Sequence, residues 1–357
     1  MRLLLTGGLG FIGANVCAFL LRNTDWQIWV LDVKTYAAHP HTQAILERCG
    51  AASMGAVCFV HGTINDQTLI SDLLHNHAID AVMHLAAESH VDRSIDGPDV
   101  FLQTNIMGTG SLLQACLSYW SGLPAARQDI FRFLHVSTDE VFGSLDHKGK
   151  FCETSPYRPN SPYAASKAGS DHLVRAWHET YGMPCIIANC CNNFGPFQFP
   201  EKLIPLALTN ALCAEPIGIY GDGKNVRDWL YVDDHANALM TLLQEGKPGE
   251  TYCVGAQQER TNLHVVQSIC NILQEMQPGT TPYHDLITFI TDRPGHDQRY
   301  AIDASKLHNE TGWFPKTDFE QGLRLTIAWY LHNRDWWQYL REHVYDATRL
   351  GSNLLRG

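Results

Sequence analysis

The sequence has no apolar run of the roughly 18 residues that a membrane helix requires. Its 11 cysteines form no Cys-x-x-Cys pair, and its 18 histidines include no His-Glu-x-x-His. These absences argue against a membrane-spanning chain, a zinc site and a zinc hydrolase. The close pairs His39/His41 and His75/His77 read as loop and surface histidines. Scattered cysteines, with only Cys190 and Cys191 adjacent, read as reduced core thiols of a cytoplasmic protein. Repeats, low-complexity runs and charged tails are also missing, which excludes solenoid and disordered classes. Cations are scarce: Lys+Arg 26 against Asp+Glu 37 leaves a net charge of −11. Such a field disfavours nucleic acid and anionic membranes as partners. An anionic small molecule would need local basic side chains and backbone N–H groups. Met1-Arg2-Leu3-Leu4-Leu5 faintly imitates a secretory leader, but Gly7 and Gly8 end the run at once.

Those glycines have a better use. The chain is 357 residues, 45% hydrophobic and 18% charged, enough for two domains or one large one. Leu3-Leu4-Leu5 predicts a short buried parallel strand. Gly7, Gly10 and Gly13 follow, and Ile12, Val16, Phe19 and Leu20 then fall on one helical face. Glycines at a strand-to-helix turn let the chain turn tightly, let a pyrophosphate approach the backbone, and let helix pack on strand. The helix N-terminus offers that pyrophosphate unpaired N–H groups. A second strand, Gln27 to Leu31, ends in Asp32, about 20 residues past the last glycine, where an acid binds ribose hydroxyls. It also repels a 2′-phosphate, which favours NAD over NADP. Further strands are expected at 57–60, 81–85 and 131–136. Helices are expected around Leu69–Leu74 and from about Pro98 to Tyr119. The alternation predicts an α/β fold, a Rossmann-like doubly wound parallel sheet with a smaller mixed α/β substrate domain. Ligands of such sheets sit beyond the carboxyl ends of the strands. The polar clusters Ala86-Ala87-Glu88-Ser89 and Ser137-Thr138-Asp139-Glu140 lie there.

Tyr163 and Lys167 are one helical turn apart, on a helix introduced by Asn160-Ser161-Pro162. A cation beside a phenol is expected to lower its pKa, so that it can take a proton from an alcohol while hydride leaves the same carbon. With the glycine turn, this pair resembles the extended short-chain dehydrogenase/reductase superfamily, whose members act largely on nucleotide sugars. Thr138-Asp139-Glu140 adds an acid and a base. Together they suggest removal of a C–H proton beside a carbonyl and protonation of a departing hydroxyl, which is loss of water.

Ser137–Gly143 resembles the STDEVYG signature of dTDP-glucose 4,6-dehydratases. So do Ala86–Ser94, Asn192–Pro196, Glu201–Pro205, Gly221–Gly223, Arg227–Val232 and Asp292–Asp303. The resemblance implies that Tyr163 and Lys167 oxidise C4 of dTDP-glucose with NAD. Glu140 then takes the C5 proton, Asp139 protonates the departing 6-hydroxyl, Thr138 bonds near O4, and hydride returns to C6. The product would be dTDP-4-dehydro-6-deoxy-glucose, a precursor for deoxysugars of cell-surface polysaccharide. Asp139 must then be neutral, which burial and Glu140 would favour.

The same resemblance implies an NAD site of Gly7, Gly10, Phe11, Ile12, Gly13, Asp32, Thr35, Thr63, Ile64, Leu85, Ala86, Ala87, Ser89, Thr104, Tyr163, Lys167 and Asn193. It implies a substrate site of Ser89, Thr138, Asn192, Lys202, Arg227, Asn262, Arg293 and His296, with no metal. Residues 1–189 with about 227–255 would form the NAD domain, and 190–226 with 256–357 the nucleotide-sugar domain. A homodimer would pair the helices of 98–119 and 163–181. Trp313, Phe314, Trp329, Tyr330, Trp336 and Trp337 read as core and packing aromatics. Thr63 stands where the family has an adenine-binding Asp, which puts that contact in doubt. Phe142 and Phe194 replace tyrosines outside the proton chemistry. The alternatives are another nucleotide-sugar dehydratase, a nucleotide-sugar 4-epimerase, and a binding protein without turnover.

Overall fold

The structure, a computed structural model, describes residues 1–345 apart from 37, 54, 147 and 293–295. Twelve strands follow in chain order. They are β1 (Arg2–Thr6), β2 (Gln27–Asp32), β3 (Ala56–His61), β4 (Ala81–His84), β5 (Arg132–Thr138) and β6 (Cys185–Cys190). Then come β7 (Asn192–Phe194), β8 (Ile217–Tyr220), β9 (Val226–Tyr231), β10 (Thr251–Val254), β11 (Glu259–Thr261) and β12 (Ile287–Ile290).

Seven of them form one sheet in the order β10-β6-β5-β4-β1-β2-β3. Every pairing in it is parallel. A parallel sheet must be covered on both faces, so its central strands are apolar on both sides. Accordingly β4 and β6 are buried along their whole length. Leu3 and Leu5 join the cluster holding Val16, Leu20 and Leu239, from helices Phe11–Asn23 and Val232–Glu245. Leu4, pointing the other way, joins Ile70, Leu113, Phe133 and Val174, from the opposite layer. The strand order reverses direction between β1 and β4, which is where a ligand crevice opens.

The remaining strands make two small sheets, β11-β9-β7 and β12-β8. Val226–Tyr231 therefore pairs outside the large sheet. Helix Val232–Glu245 and β10 are the parts of that stretch that rejoin it, the helix tied to helix Phe11–Asn23 by Arg22 Nη2 and Asp233 Oδ2 at 3.1 Å. The long helix expected from Pro98 is one helical run over 99–121. Its middle, Leu102–Gly108, is wound as a π-helix. Trp313, Tyr330, Trp336 and Trp337 are buried and Trp329 partly so. Phe314 is not a core residue: it is 56% exposed and packs its ring on His308, 3.5 Å away.

Candidate active site

The glycine turn forms as its spacing predicts, but its three glycines serve different ends. Gly7 has φ +70°, and a Cβ there would lie 2.6 Å from Ala86 N. A Cβ on Gly13 would lie 2.2 Å from Gly7 O. Both positions are closed by packing. At Gly10 the nearest atom to a Cβ is Gly7 O at 3.5 Å, an ordinary contact, and the residue lines the cleft. Helix Phe11–Asn23 begins there with no capping side chain and no acid in its first turn, leaving its amides to an anion. Asp32, at the end of β2, accepts Leu9 N at 3.0 Å and Lys34 N at 2.8 Å, and burial pushes its carboxyl up.

A cleft of about 340 Å³ runs from this turn to Lys202. All the residues expected to hold NAD line it, from Gly7 and Phe11 through Thr35, Ile64, Leu85, Ala87 and Thr104 to Asn193. Thr63 Oγ1 accepts Asn65 N at 3.2 Å. Asn193 Oδ1 and Gln198 Oε1 are buried in the wall with no hydrogen-bond partner, as groups awaiting a ligand donor would be. The cleft-lining glycine turn, the open amides, Asp32 and these orphaned oxygens fit a dinucleotide of the NAD type.

The reacting groups converge on the far end of the cleft. β5 ends at Thr138, whose Oγ1 accepts Glu140 N at 3.3 Å and starts the tight turn Asp139–Phe142. Asp139 is 2% exposed, and its Oδ2 has no hydrogen-bond partner. Burial pushes its carboxyl well above the usual range, and Glu140 and Asp228 push it further. The expected neutral acid thus has a physical cause. Helix Pro162–Tyr181 is capped by Ser161, whose Oγ accepts Ala164 N at 3.1 Å. It buries both Tyr163 and Lys167.

One expectation is reversed. The Tyr163 phenol is not held below its ordinary range. Burial pushes it well above 10, with Glu140 adding to the rise and the Thr138 hydroxyl opposing it. The Lys167 ammonium donates to Val136 O at 2.9 Å, toward the sheet.

A second cavity of about 390 Å³ adjoins the cleft and shares Glu140, Asn192, Asn193, Gln198, Glu201 and Lys202 with it. Arg227, Asn262 and His296 line it too, while Ser89 and Thr138 lie on the cleft side. Arg293 lies outside the described residues. Arg227 is 5% exposed and holds a loop: Nη1 donates to Val226 O at 2.8 Å and Nη2 to Asp297 O at 2.9 Å, with the guanidinium 4.2 Å above the Tyr300 ring. Lys202 Nζ donates to Ser89 O at 2.9 Å. Asn192 Oδ1 and Asn262 Oδ1 are buried without partners. Phe142 packs 5.2 Å from both Phe151 and Tyr157, and Phe194 packs 5.4 Å from Phe319. Both positions are lined by aromatic rings.

Sequence reasoning missed two supports. Asn105, in the π-wound turn, accepts Glu88 N at 2.9 Å and donates to Glu88 O at 2.9 Å and Ser166 Oγ at 2.8 Å. It ties the loop after β4 to the Tyr163 helix. Glu201 accepts Arg93 Nε at 2.9 Å and Tyr36 OH at 3.3 Å, joining two loops and the short helix Val91–Asp96 around the cleft. Only the Glu201–Pro205 segment match pointed to either.

The doubly wound sheet, the glycine turn and the Tyr163/Lys167 helix define an extended short-chain dehydrogenase/reductase. Residues 4–326 match the family model described as GDP-mannose 4,6 dehydratase. A dTDP-glucose 4,6-dehydratase of Xanthomonas campestris pv. campestris (strain B100) is 54% identical over 98% of this chain and 99% of its own. That of Neisseria meningitidis serogroup B is 49% identical, over 98% and 99%. Among solved structures, the Streptomyces venezuelae dTDP-glucose 4,6-dehydratase with NAD and dTDP bound superposes with a TM-score of 0.85 at 43% identity, covering 95% and 100%. The NAD complex of Thermus thermophilus UDP-glucose 4-epimerase reaches 0.80 at 27% identity, over 93% and 100%. The chain belongs to the dTDP-glucose 4,6-dehydratase family.

Proposed function

We propose that this protein converts dTDP-glucose to dTDP-4-dehydro-6-deoxy-glucose with a retained NAD. The observation that carries the reading is Asp139 beside Glu140: a buried carboxyl, pushed up by that burial, next to one that lines both cavities. Oxidation alone, or epimerisation, has no need of such a pair. Held by the glycine turn and Asp32, NAD would supply the hydride acceptor for C4, the hydride donor for C6 and a positively charged ring. Tyr163 takes the O4 proton, with Thr138 holding O4. Lys167 supports the phenol from the next turn of the helix. The 4-ketone acidifies C5–H, and Glu140 removes that proton. Asp139 gives its proton to O6 as the C6–O bond breaks, so water leaves; a proton then returns to C5. Arg227, Lys202, Asn192 and Asn262 would hold the nucleotide diphosphate, and His296 would face the nucleotide.

The cofactor unit comprises 1–189 with the returning helix and β10, and the nucleotide-sugar unit the rest. Buried thiols such as Cys17, Cys116 and Cys270 suit a reducing cytoplasm. No helix among the described residues is long and apolar enough to cross a membrane. The dimer reading is supported by Val100, Leu102 and Met107, which are 48%, 43% and 60% exposed on the 99–121 helix, and by Tyr181 at 50% on the neighbouring one. Met107→Asp should convert a dimer to monomer in sedimentation equilibrium at micromolar protein; a wild-type monomer would discard this interface.

The deciding experiment is incubation of purified protein with dTDP-glucose, first alone and then with added NAD, followed by mass spectrometry. Loss of one water without net reduced cofactor is expected. An unchanged mass with conversion to dTDP-galactose would replace the reading by a 4-epimerase.

A further inference from the structure

Behind the reacting groups lies a buried anion that the mechanism above does not use. Asp171 is 1% exposed. Its Oδ2 accepts Ser137 Oγ at 2.8 Å, Tyr157 OH at 2.8 Å and Asn189 Nδ2 at 3.1 Å. Those donors come from β5, from the loop before the Tyr163 helix, and from β6. They hold the carboxylate in one place and favour its charged form. Its other oxygen, Oδ1, makes no hydrogen bond but stands 3.2 Å from His135 Nε2. That same nitrogen is 3.2 Å from Ser170 Oγ and 3.4 Å from Lys167 Nζ.

The arrangement is therefore a fixed line from Lys167 through His135 to Asp171, wholly inside the protein. Burying an ammonium costs so much that a lysine without a counter-charge loses its proton instead. Lys167 feels this directly: burial lowers it, and Asp171 is the first group to oppose that, with the Cys190 thiol second. Asp171 itself is held below the usual carboxyl range, against its burial, by His135, Lys167 and Ser137. His135 is pushed down to about 4 by burial and Lys167, so it stands between the two charges as a neutral imidazole whose Nε2 serves one of them at a time, while its Nδ1 is buried without a hydrogen-bond partner. Cys190 and Tyr157 also face this cluster, His172 packs on the Tyr157 ring, and His84, whose ring lies 5.1 Å from that of His135, spends both nitrogens on Thr6 and Thr109.

We propose that Asp171 is a positioning residue of the active site: anchored by Ser137, Tyr157 and Asn189, it faces Lys167 across His135 as the buried counter-charge that keeps Lys167 cationic, and so sets how readily Tyr163 gives and takes its proton. Asp171 touches neither substrate nor cofactor. The proposal rests on the dehydratase reading, and wild-type enzyme that forms no reduced cofactor from dTDP-glucose would defeat that reading by itself.

The test follows reduced cofactor in a single turnover of holoenzyme with dTDP-glucose. Asp171→Asn is expected to slow this step by about tenfold or more, with the rise of rate with pH displaced to higher pH. KM and cofactor content should stay near wild type. In Lys167→Met enzyme the same substitution should cost less than about twofold, because the cation it serves is gone. Equal losses in both backgrounds would mean a purely structural Asp171 and overturn the proposal. His135→Gln is a second probe, expected to show the same dependence on Lys167. Should either variant fail to fold, carbon-13 NMR of ε-labelled lysine in wild-type holoenzyme decides. Lys167, assigned by its loss in Lys167→Met, should be charged at neutral pH; a neutral Lys167 would sink the idea.

Discussion

Glu140→Gln should form reduced cofactor on mixing with dTDP-glucose and then stop. The amide keeps the shape of the wall shared by the two cavities but cannot accept the C5 proton. Turnover should fall by about 10²–10⁴-fold, the usual worth of a general base. The signs for the other groups can be worked out. Glu140 contributes to the rise of both Tyr163 and Asp139. Removing its charge still leaves Asp139 raised, because burial is the larger cause there. It makes the Tyr163 phenol easier to ionise, so the first hydride transfer should not slow, and its rise with pH should move to lower pH. Stopped-flow absorbance of the reduced cofactor, with mass spectrometry of the sugar, reads both steps. Wild-type turnover in this variant would remove Glu140 from its role.

Tyr163→Phe should fail one step earlier. The phenyl ring keeps its place opposite Phe101, whose centroid is 6.4 Å from that of Tyr163, and the helix keeps its Ser161 cap. What is lost is the acceptor for the O4 proton. No reduced cofactor and no dehydrated sugar should appear, with turnover down by about 10²–10⁴-fold. Cofactor carried through purification should be unchanged. The contrast matters more than either loss: one variant reduces the cofactor without losing water, the other does neither. Reduced cofactor formed by Tyr163→Phe at the wild-type rate would assign the first proton transfer elsewhere.

The large sheet was legible because parallel strands buried on both faces read as short apolar runs, as Leu3–Leu5 and Ala81–Met83 do. The glycine turn and Asp32 were legible because their spacing is set by the ligand they would meet. The small sheets were not. Asn192–Phe194 and Glu259–Thr261 are three residues each, too short to show a period of two. The π-wound turn around Asn105 hides inside an ordinary helical pattern. Spacing made Tyr163 and Lys167 neighbours, yet it could not show that the ammonium points to Val136 O or that burial raises the phenol. Lys202, Arg227, Asn262 and His296 were reached through resemblance, since periodicity carries no sign of them. Arg227 illustrates the limit: its guanidinium also clamps the 297–298 loop.

The strand order has a consequence for how the molecule is made. β10, contributed by Thr251–Val254, closes the sheet against β6, and the helix before it packs on the first helix of the chain. A ribosome emitting this chain therefore releases six strands of the large sheet long before the seventh. Until residue 254 emerges, β6 presents an unpaired edge, the hazard of an incomplete parallel sheet. The half that carries the glycine turn is thus not a separable cassette. Cut after residue 189, it would lack an edge strand and a covering helix, and its last strand would be open to pairing with whatever chain lay nearest.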